Sequence, residues 1–310
     1  MTPVVKGYCY AGCDIFLLMK TLHLVDASIY IFRAYFSIPE TMIGADGKPV
    51  NAVYGFADFL QQLKQTGRLQ HVVIAFDESL TSSFRNELYP PYKANRELPP
   101  ADLEAQLKAC RELSDILGFR TYASDRFEAD DLIGTAARQM RPRGFRMVYV
   151  TGDKDLAQLL EPGDIWWNFA RNEKLGQREI PAKLGVRAHQ VVDLLALMGD
   201  SVDNIPGVPG VGHKSASALL SHYETLDDIF RNLHQIPELP LRGAARIQQQ
   251  LQQFRDQAML SRELATINKN APIRCTEASV SKKAVASKRL RDFCARHNFS
   301  ERLTERLLSI

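Results

Sequence analysis

The sequence predicts an α/β fold, a mostly parallel central sheet flanked by helices, followed by a helical C-terminal region. Two observations carry this. Segments 21–26 (TLHLVD), 71–77 (HVVIAFD) and 146–155 (RMVYVTGDKD) each hold a short β-rich apolar run ending in aspartate. Such runs suit strands buried on both faces of a parallel sheet. Between them the period changes. Asn51–Gln65 places Val53, Phe56, Phe59, Leu60 and Leu63 on one face, and after Pro99-Pro100 the residues Leu103, Leu107, Cys110, Leu113 and Leu117 recur at helical spacing. Strands alternating with helices argue for a layered α/β core.

Each element has a local reason. The first strand leads into ASIYIFRAY, a helix by period. Between Asp77 and the helix at 102, residues 78–101 carry four prolines and no clean periodicity; a loop of that length in a compact domain is commonly functional. Glu128-Ala-Asp130-Asp131 opens a helix, where acids suit the dipole and the bland reading is capping. From about 190 the pattern is helical: AHQVVDLLALM, a Gly/Pro hairpin, KSASALLSHY, and a Gln-rich helix near 243–260. The expected division is an extension over 1–18, an α/β core over 19–190, and a helical region over 191–310 ending in a basic tail. Met19-Lys20 reads as a natural start, and residues 1–18 show no signal-peptide cleavage pattern.

Composition excludes several classes. The chain has 310 residues, 45% hydrophobic and 24% charged, which is ordinary for a globular protein. No run of 18 apolar residues exists, so no membrane span is expected. Net charge is only +3, but Lys269–Ile310 holds ten Lys and Arg against four Asp and Glu. The five cysteines, at 9, 13, 110, 275 and 294, have neither the pairing nor the spacing of a disulfide framework or zinc site, so a reduced, cytoplasmic setting is expected.

The chemistry lies in carboxylates at turns and element ends: Asp26, Asp77, Glu128, Asp130, Asp131, Asp153, Asp155, Asp200 and Asp203. Each alone is ordinary turn chemistry. Together, strand-end acids on one sheet edge repel and raise one another's pKa, and divalent cations relieve that cost. With no histidine in the set, all-oxygen ligands favour two Mg²⁺ or Mn²⁺ ions, the pair that activates water and stabilises a leaving oxygen in phosphoryl hydrolysis.

The hairpin Ile205–Ser215 fails the P-loop pattern, because His213 stands where its lysine belongs. It reads instead as helix–hairpin–helix: Gly210 and Gly212 let the backbone approach a phosphate, next to Lys214 and Ser215 at the following helix start. Tyr92, Lys93 and Arg96 lie in the long loop, where cations could meet a transition-state phosphate. Arg33, seven residues after Asp26, could face the same cleft. Trp166 and Trp167 read as packing.

With these residues in view, the chain resembles the 5′ nuclease (flap endonuclease-like) superfamily, and within it the 5′→3′ exonuclease domain of bacterial DNA polymerase I. The motifs are LVDASIYIFRAY, NAVYGF, VVIAFD, SFRNELYPPYKANR, EADDLIGTAA, VTGDKDLAQLL, LALMGDSVDNIPGVPGVGHKSA and RELATI, from about Lys20 to Arg274. The resemblance implies a helical arch at about 78–101. It implies one metal among Asp26, Asp77, Glu128, Asp130 and Asp131, and a second among Asp153, Asp155, Asp200 and Asp203. Lys93 and Arg96 match arch cations and Tyr92 an arch aromatic, while Gly210, Gly212 and Lys214 match a duplex-binding hairpin that in the family often holds K⁺. His213 departs from the usual glutamate. The implied activity is a stand-alone, monomeric 5′→3′ exonuclease and flap endonuclease acting on DNA with a 5′ end or flap, with any polymerase supplied in trans. Two other readings are a haloacid-type phosphatase, from the strand-end D-x-D, and a non-catalytic DNA-junction binder.

Overall fold

The computed structural model describes residues 19–67, 69–79 and 82–310; the extension over 1–18, with Cys9 and Cys13, lies outside the described residues. Six strands form one sheet in the order β3-β2-β1-β4-β5-β6: β1 (Lys20–Asp26), β2 (Val72–Asp77), β3 (Arg120–Ser124), β4 (Phe145–Val150), β5 (Ile165–Asn168) and β6 (Glu173–Gly176). All pairings are parallel except β5 with β6. The chain steps outward from β1 to β3, then returns to place β4 against the other side of β1. That reversal is the switch point at which open α/β sheets leave a crevice.

Side chains alternate across the strands, and both faces are buried. Leu22, Leu24, Val73, Ala75, Met147 and Tyr149 enter one core layer; Val25, Val72, Ile74, Phe76, Val148 and Val150 enter the other. The helices are α1 (Ala27–Ser37), α2 (Asn51–Gln65), α3 (Phe84–Leu88), α4 (Ala101–Ile116), α5 (Ala129–Met140), α6 (Ile180–Leu184), α7 (Val191–Met198), α8 (His213–His222), α9 (Leu226–Arg231), α10 (Ala244–Gln253), α11 (Arg255–Ala265), α12 (Glu277–Val280), α13 (Ser287–Arg296) and α14 (Glu301–Leu308). Helices α5, α7, α8, α10 and α11 contribute to the first layer; α1, α2, α4, α13 and α14 contribute to the second.

As expected, Asp153 follows a strand: β4 ends at Val150, and Asp153 lies in the next turn. The structure refines the remaining segments. Within the long loop over 78–101, Ser83 accepts from Arg85 N and starts the short helix α3. The Gln-rich stretch is two helices divided at Phe254. The basic tail is folded: Leu290, Phe293, Cys294, Leu303 and Leu307 are buried in the second layer, and its charges occupy only the outer faces. Trp166 and Trp167 are buried, as packing predicts. The cysteines among the described residues, Cys110, Cys275 and Cys294, are free and buried. Among the described residues no helix is long and apolar enough to cross a membrane.

Candidate active site

Strand ends build the site. Asp26 closes β1 at the switch point, and Thr151, one residue past β4, donates its hydroxyl to Asp26 Oδ2 at 3.1 Å. The same hydroxyl accepts from Asp153 N at 3.0 Å, and Asp153 Oδ1 accepts from Asp155 N at 2.9 Å. Asp77 ends β2 and is held by Ser79, whose hydroxyl donates to it at 2.7 Å. Glu128 and Asp130 come from the start of α5. Asp200 and Asp203 come from a tight turn after α7, closed by paired backbone bonds between Asp200 and Ile205.

A cleft of about 480 Å³ opens among these ends, lined by Asp26, Asp77, Glu128, Asp130, Asp153 and Asp203 together with Lys93 and Arg96. Ile29 and Phe32 of α1 form one apolar side, and Leu98 and Pro99 another. Asp155 and Asp200 adjoin this cleft without lining it; Asp200 pairs with Lys154 at 2.8 Å. Arg33 is exposed on α1, outside the cleft lining and without an ion pair among the described residues. A groove of the same volume beside Asp46, Lys48 and Arg296 lies away from these acids.

The long loop delivers cations into the acids. Lys93 Nζ lies 2.8 Å from Glu128 Oε2 and 3.8 Å from Asp203 Oδ2, and Arg96 pairs with Asp203. Tyr92 is buried, and its hydroxyl lies 3.1 Å from Glu128 and 3.2 Å from Asp203. The loop is bonded to the Asp200–Asn204 turn: Lys93 N donates to Asp203 O at 3.0 Å, Asn95 to Ser201 O at 2.8 Å, and Asn204 to Pro91 O at 2.6 Å.

Electrostatics divides the acids. Burial, then repulsion from Asp153, pushes Asp26 up to about 7. Burial and the neighbouring carboxylates push Asp130 and Asp155 well above the usual range, and burial raises Asp77 and Asp153. Glu128 is buried too, but Lys93 and Arg85 outweigh that and hold it below its ordinary value. Lys154 does the same for Asp200.

Asp131 points elsewhere. It is fully buried, and both its oxygens are taken at 2.8 Å by the Arg85 guanidinium. Asn268 N and Glu128 N add further bonds to it. The sequence grouped Asp131 with Asp130, but adjacent helical residues diverge by about 100°, so one acid faces the cleft and the next faces inward. Arg85 lies within the motif SFRNELYPPYKANR, and nothing in that motif identifies its partner.

The donor set fits hard divalent cations. It is all oxygen, burial and mutual repulsion raise the pKa of most of its acids, and Asp155 Oδ1 is buried without a hydrogen-bond partner. Among the described residues no three such side chains yet stand close enough to enclose one ion. The Lys93 and Arg96 heads hold Glu128 and Asp203 instead.

Beside the cleft, α7, the Gly199–Gly212 segment and α8 form the helix–hairpin–helix. Gly207 has φ +61°, and a Cβ there would stand 2.2 Å from Gly199 N. Gly210 has φ +81° with open space around it. Gly212 caps α8 without a side-chain bond, and Gly210, Gly212 and Lys214 are exposed while Ser215 is half-buried. His213 lies 2.9 Å from Leu184 O.

A carboxylate-lined cleft at the switch point of a parallel sheet, flanked by a helix–hairpin–helix, defines the 5′ nuclease class of fold. The 5′-3′ exonuclease N-terminal resolvase-like domain model matches residues 21–185, and the 5′-3′ exonuclease C-terminal SAM fold model matches 186–288. The chain therefore belongs to the 5′-3′ exonuclease family. It is 33% identical to a 5′-3′ exonuclease of Buchnera aphidicola subsp. Schizaphis graminum over 91% of this chain and 98% of that one. It is 40% identical to DNA polymerase I of Pseudomonas aeruginosa, over 79% of this chain but 27% of the polymerase. In structure it is similar to T5 5′-exonuclease with bound zinc ions, with TM-score 0.64 and 21% identity over 94% of this chain and 99% of that one. It is also similar to the catalytic core of Rad2 in complex with DNA substrate, with TM-score 0.59 and 15% identity over 95% and 93%. Family membership bears out the resemblance and sets aside the haloacid-type phosphatase and the non-catalytic junction binder.

Proposed function

We propose that the protein is a divalent-metal-dependent 5′→3′ exonuclease and flap endonuclease that hydrolyses DNA phosphodiesters near a 5′ end or flap junction during primer removal and repair. The observation that carries this is the convergence of Asp26, Asp77, Glu128, Asp130, Asp153 and Asp203 with Lys93 and Arg96 in one cleft beside the hairpin. Asp26, Asp77, Glu128 and Asp130 would hold one Mg²⁺ or Mn²⁺, and Asp153, Asp155, Asp200 and Asp203 a second. Bound there, the two ions would supply an activated water and charge neutralisation at the leaving oxygen.

The protein's own groups do the rest. Gly210, Gly212, Lys214 and Ser215 grip backbone phosphates of the duplex without reading bases, with K⁺ at the hairpin carbonyls. Lys93 and Arg96 turn from the acids to the scissile phosphate as charge develops. Tyr92 stays buried and keeps Glu128 and Asp203 in register. Arg33, exposed on α1 outside the cleft lining, would meet the incoming strand before it reaches the acids. The protein acts as a monomer in the cytoplasm.

The test compares a 5′-flap duplex, a single strand and p-nitrophenyl phosphate with Mg²⁺ and after exhaustive chelation. Flap cleavage that stops with EDTA and returns with Mg²⁺ or Mn²⁺ is expected. Full activity after chelation would overturn the two-metal reading.

A further inference from the structure

Arg85 lies beneath the cleft, 2% exposed, with its nitrogens engaged. Nη1 and Nη2 each meet one oxygen of Asp131 at 2.8 Å. Nε donates to Leu264 O at 2.8 Å, and Nη2 also to Thr266 O at 3.0 Å. Nη1 stands 3.6 Å from Glu128 Oε2. The guanidinium lies 4.6 Å from the Phe84 ring centroid and 5.9 Å from that of Tyr92. One side chain thus ties the root of the long loop, in α3, to the start of α5 and the end of α11.

Neutralising Asp131 would need only a cation. The fork does more, because it fixes orientation. Above it, Tyr92 bonds Glu128 and Asp203, and Asn86, one residue after Arg85, donates to Tyr92 O at 2.8 Å. Lys93 follows with φ +53°, a left-handed conformation that a non-glycine residue keeps only when its surroundings impose it.

We propose that Arg85 is a positioning residue for cleavage: its fork on Asp131 and its contact with the Tyr92 ring fix the loop root so that Lys93 is presented to the cleft, within reach of a phosphate held there, and Asp131 serves this pair instead of ligating metal. The proposal rests on the nuclease reading above.

The test is Arg85→Lys, which keeps the charge and loses the fork. Single-turnover cleavage of a 5′-flap duplex in Mg²⁺ should slow by about 10- to 100-fold, with the duplex Kd in Ca²⁺ within about twofold of wild type. Because Arg85 acts through Lys93, the double variant R85K/K93A should be within about twofold of Lys93→Ala alone. Multiplying effects, or a wild-type rate for Arg85→Lys, would overturn the proposal. A wild-type protein that fails to cleave under Mg²⁺ would instead sink the nuclease reading. Should Arg85→Lys melt below the assay temperature, Tyr92→Leu, which removes the ring that Arg85 meets, carries the same cycle with Lys93→Ala: non-additive rates are expected, and additive ones refute the link. Calorimetric titration of Mn²⁺ into Asp131→Asn, or into R85Q/D131N if the single variant does not fold, should give the wild-type stoichiometry. Loss of one ion would make Asp131 a ligand and overturn its assignment.

Discussion

The Asp26 carboxyl shows how a buried acid trades stability for function. In the unfolded chain it loses its proton near 3.8; in the fold, burial and Asp153 hold the proton until about 7. Between those values the folded state binds the extra proton, so its contribution to the metal-free protein falls as pH rises through that window and is flat above it. Asp26→Asn removes the penalty. In EDTA, its melting temperature relative to wild type should therefore climb from pH 5 to pH 7, while cleavage is lost; a constant difference would refute the assignment. Lys93 behaves in the opposite sense: burial opposes its charge, but Glu128, Asp203 and Asp77 raise its pKa, so it stays cationic through the neutral range. Lys93→Ala should slow single-turnover cleavage by about 10²–10³ with little change in duplex binding, measured by quench-flow and by anisotropy in Ca²⁺.

Among the elements, the hairpin separates two glycines that look alike in sequence. At Gly207 an added Cβ meets the Gly199 backbone at 2.2 Å, so Gly207→Ala must displace α7 from the hairpin and should cost about 3 kcal/mol or more. At Gly210 only the positive φ resists a side chain, and Gly210→Ala should cost about 1–2 kcal/mol; urea titration distinguishes the two. Lys214→Ala should weaken all duplex sequences alike and reduce the salt slope by about one phosphate contact. That the hairpin exists was legible, because Gly and Pro mark turns locally. Which glycine bears a contact was not, since that depends on Gly199, eight residues upstream. Helix α3 escaped for a related reason: five residues give too little period to detect. That Asp131 pairs with Arg85 was not legible, because Arg85 stands 46 residues earlier and neighbouring acids in a sequence carry no label for the side they face.

At the scale of the molecule, the sheet was the most legible part. Strands buried on both faces write continuous apolar runs, and their terminal aspartates mark the crevice. The C-terminal segment was the least legible: its charges dominated the reading, although Leu303, Leu307 and Ile310 recur at helical spacing and are buried with Leu290 and Phe293. These helices close the second core layer over α2 and α4. Leu307→Ala should cost about 2–5 kcal/mol, read by chemical denaturation with flap binding retained in the folded fraction. A loss below about 0.5 kcal/mol would mean that α14 merely rests on the surface.

The bonds joining Pro91–Arg96 to the Asp200–Asn204 turn have a consequence for traffic through the enzyme. That turn is covalently continuous with the hairpin, so a duplex held there as proposed would bear on the same backbone that holds Lys93. Both would hang on one stretch of backbone, so a substitution that distorts the Asp200–Asn204 turn is expected to misplace Lys93 and the hairpin together.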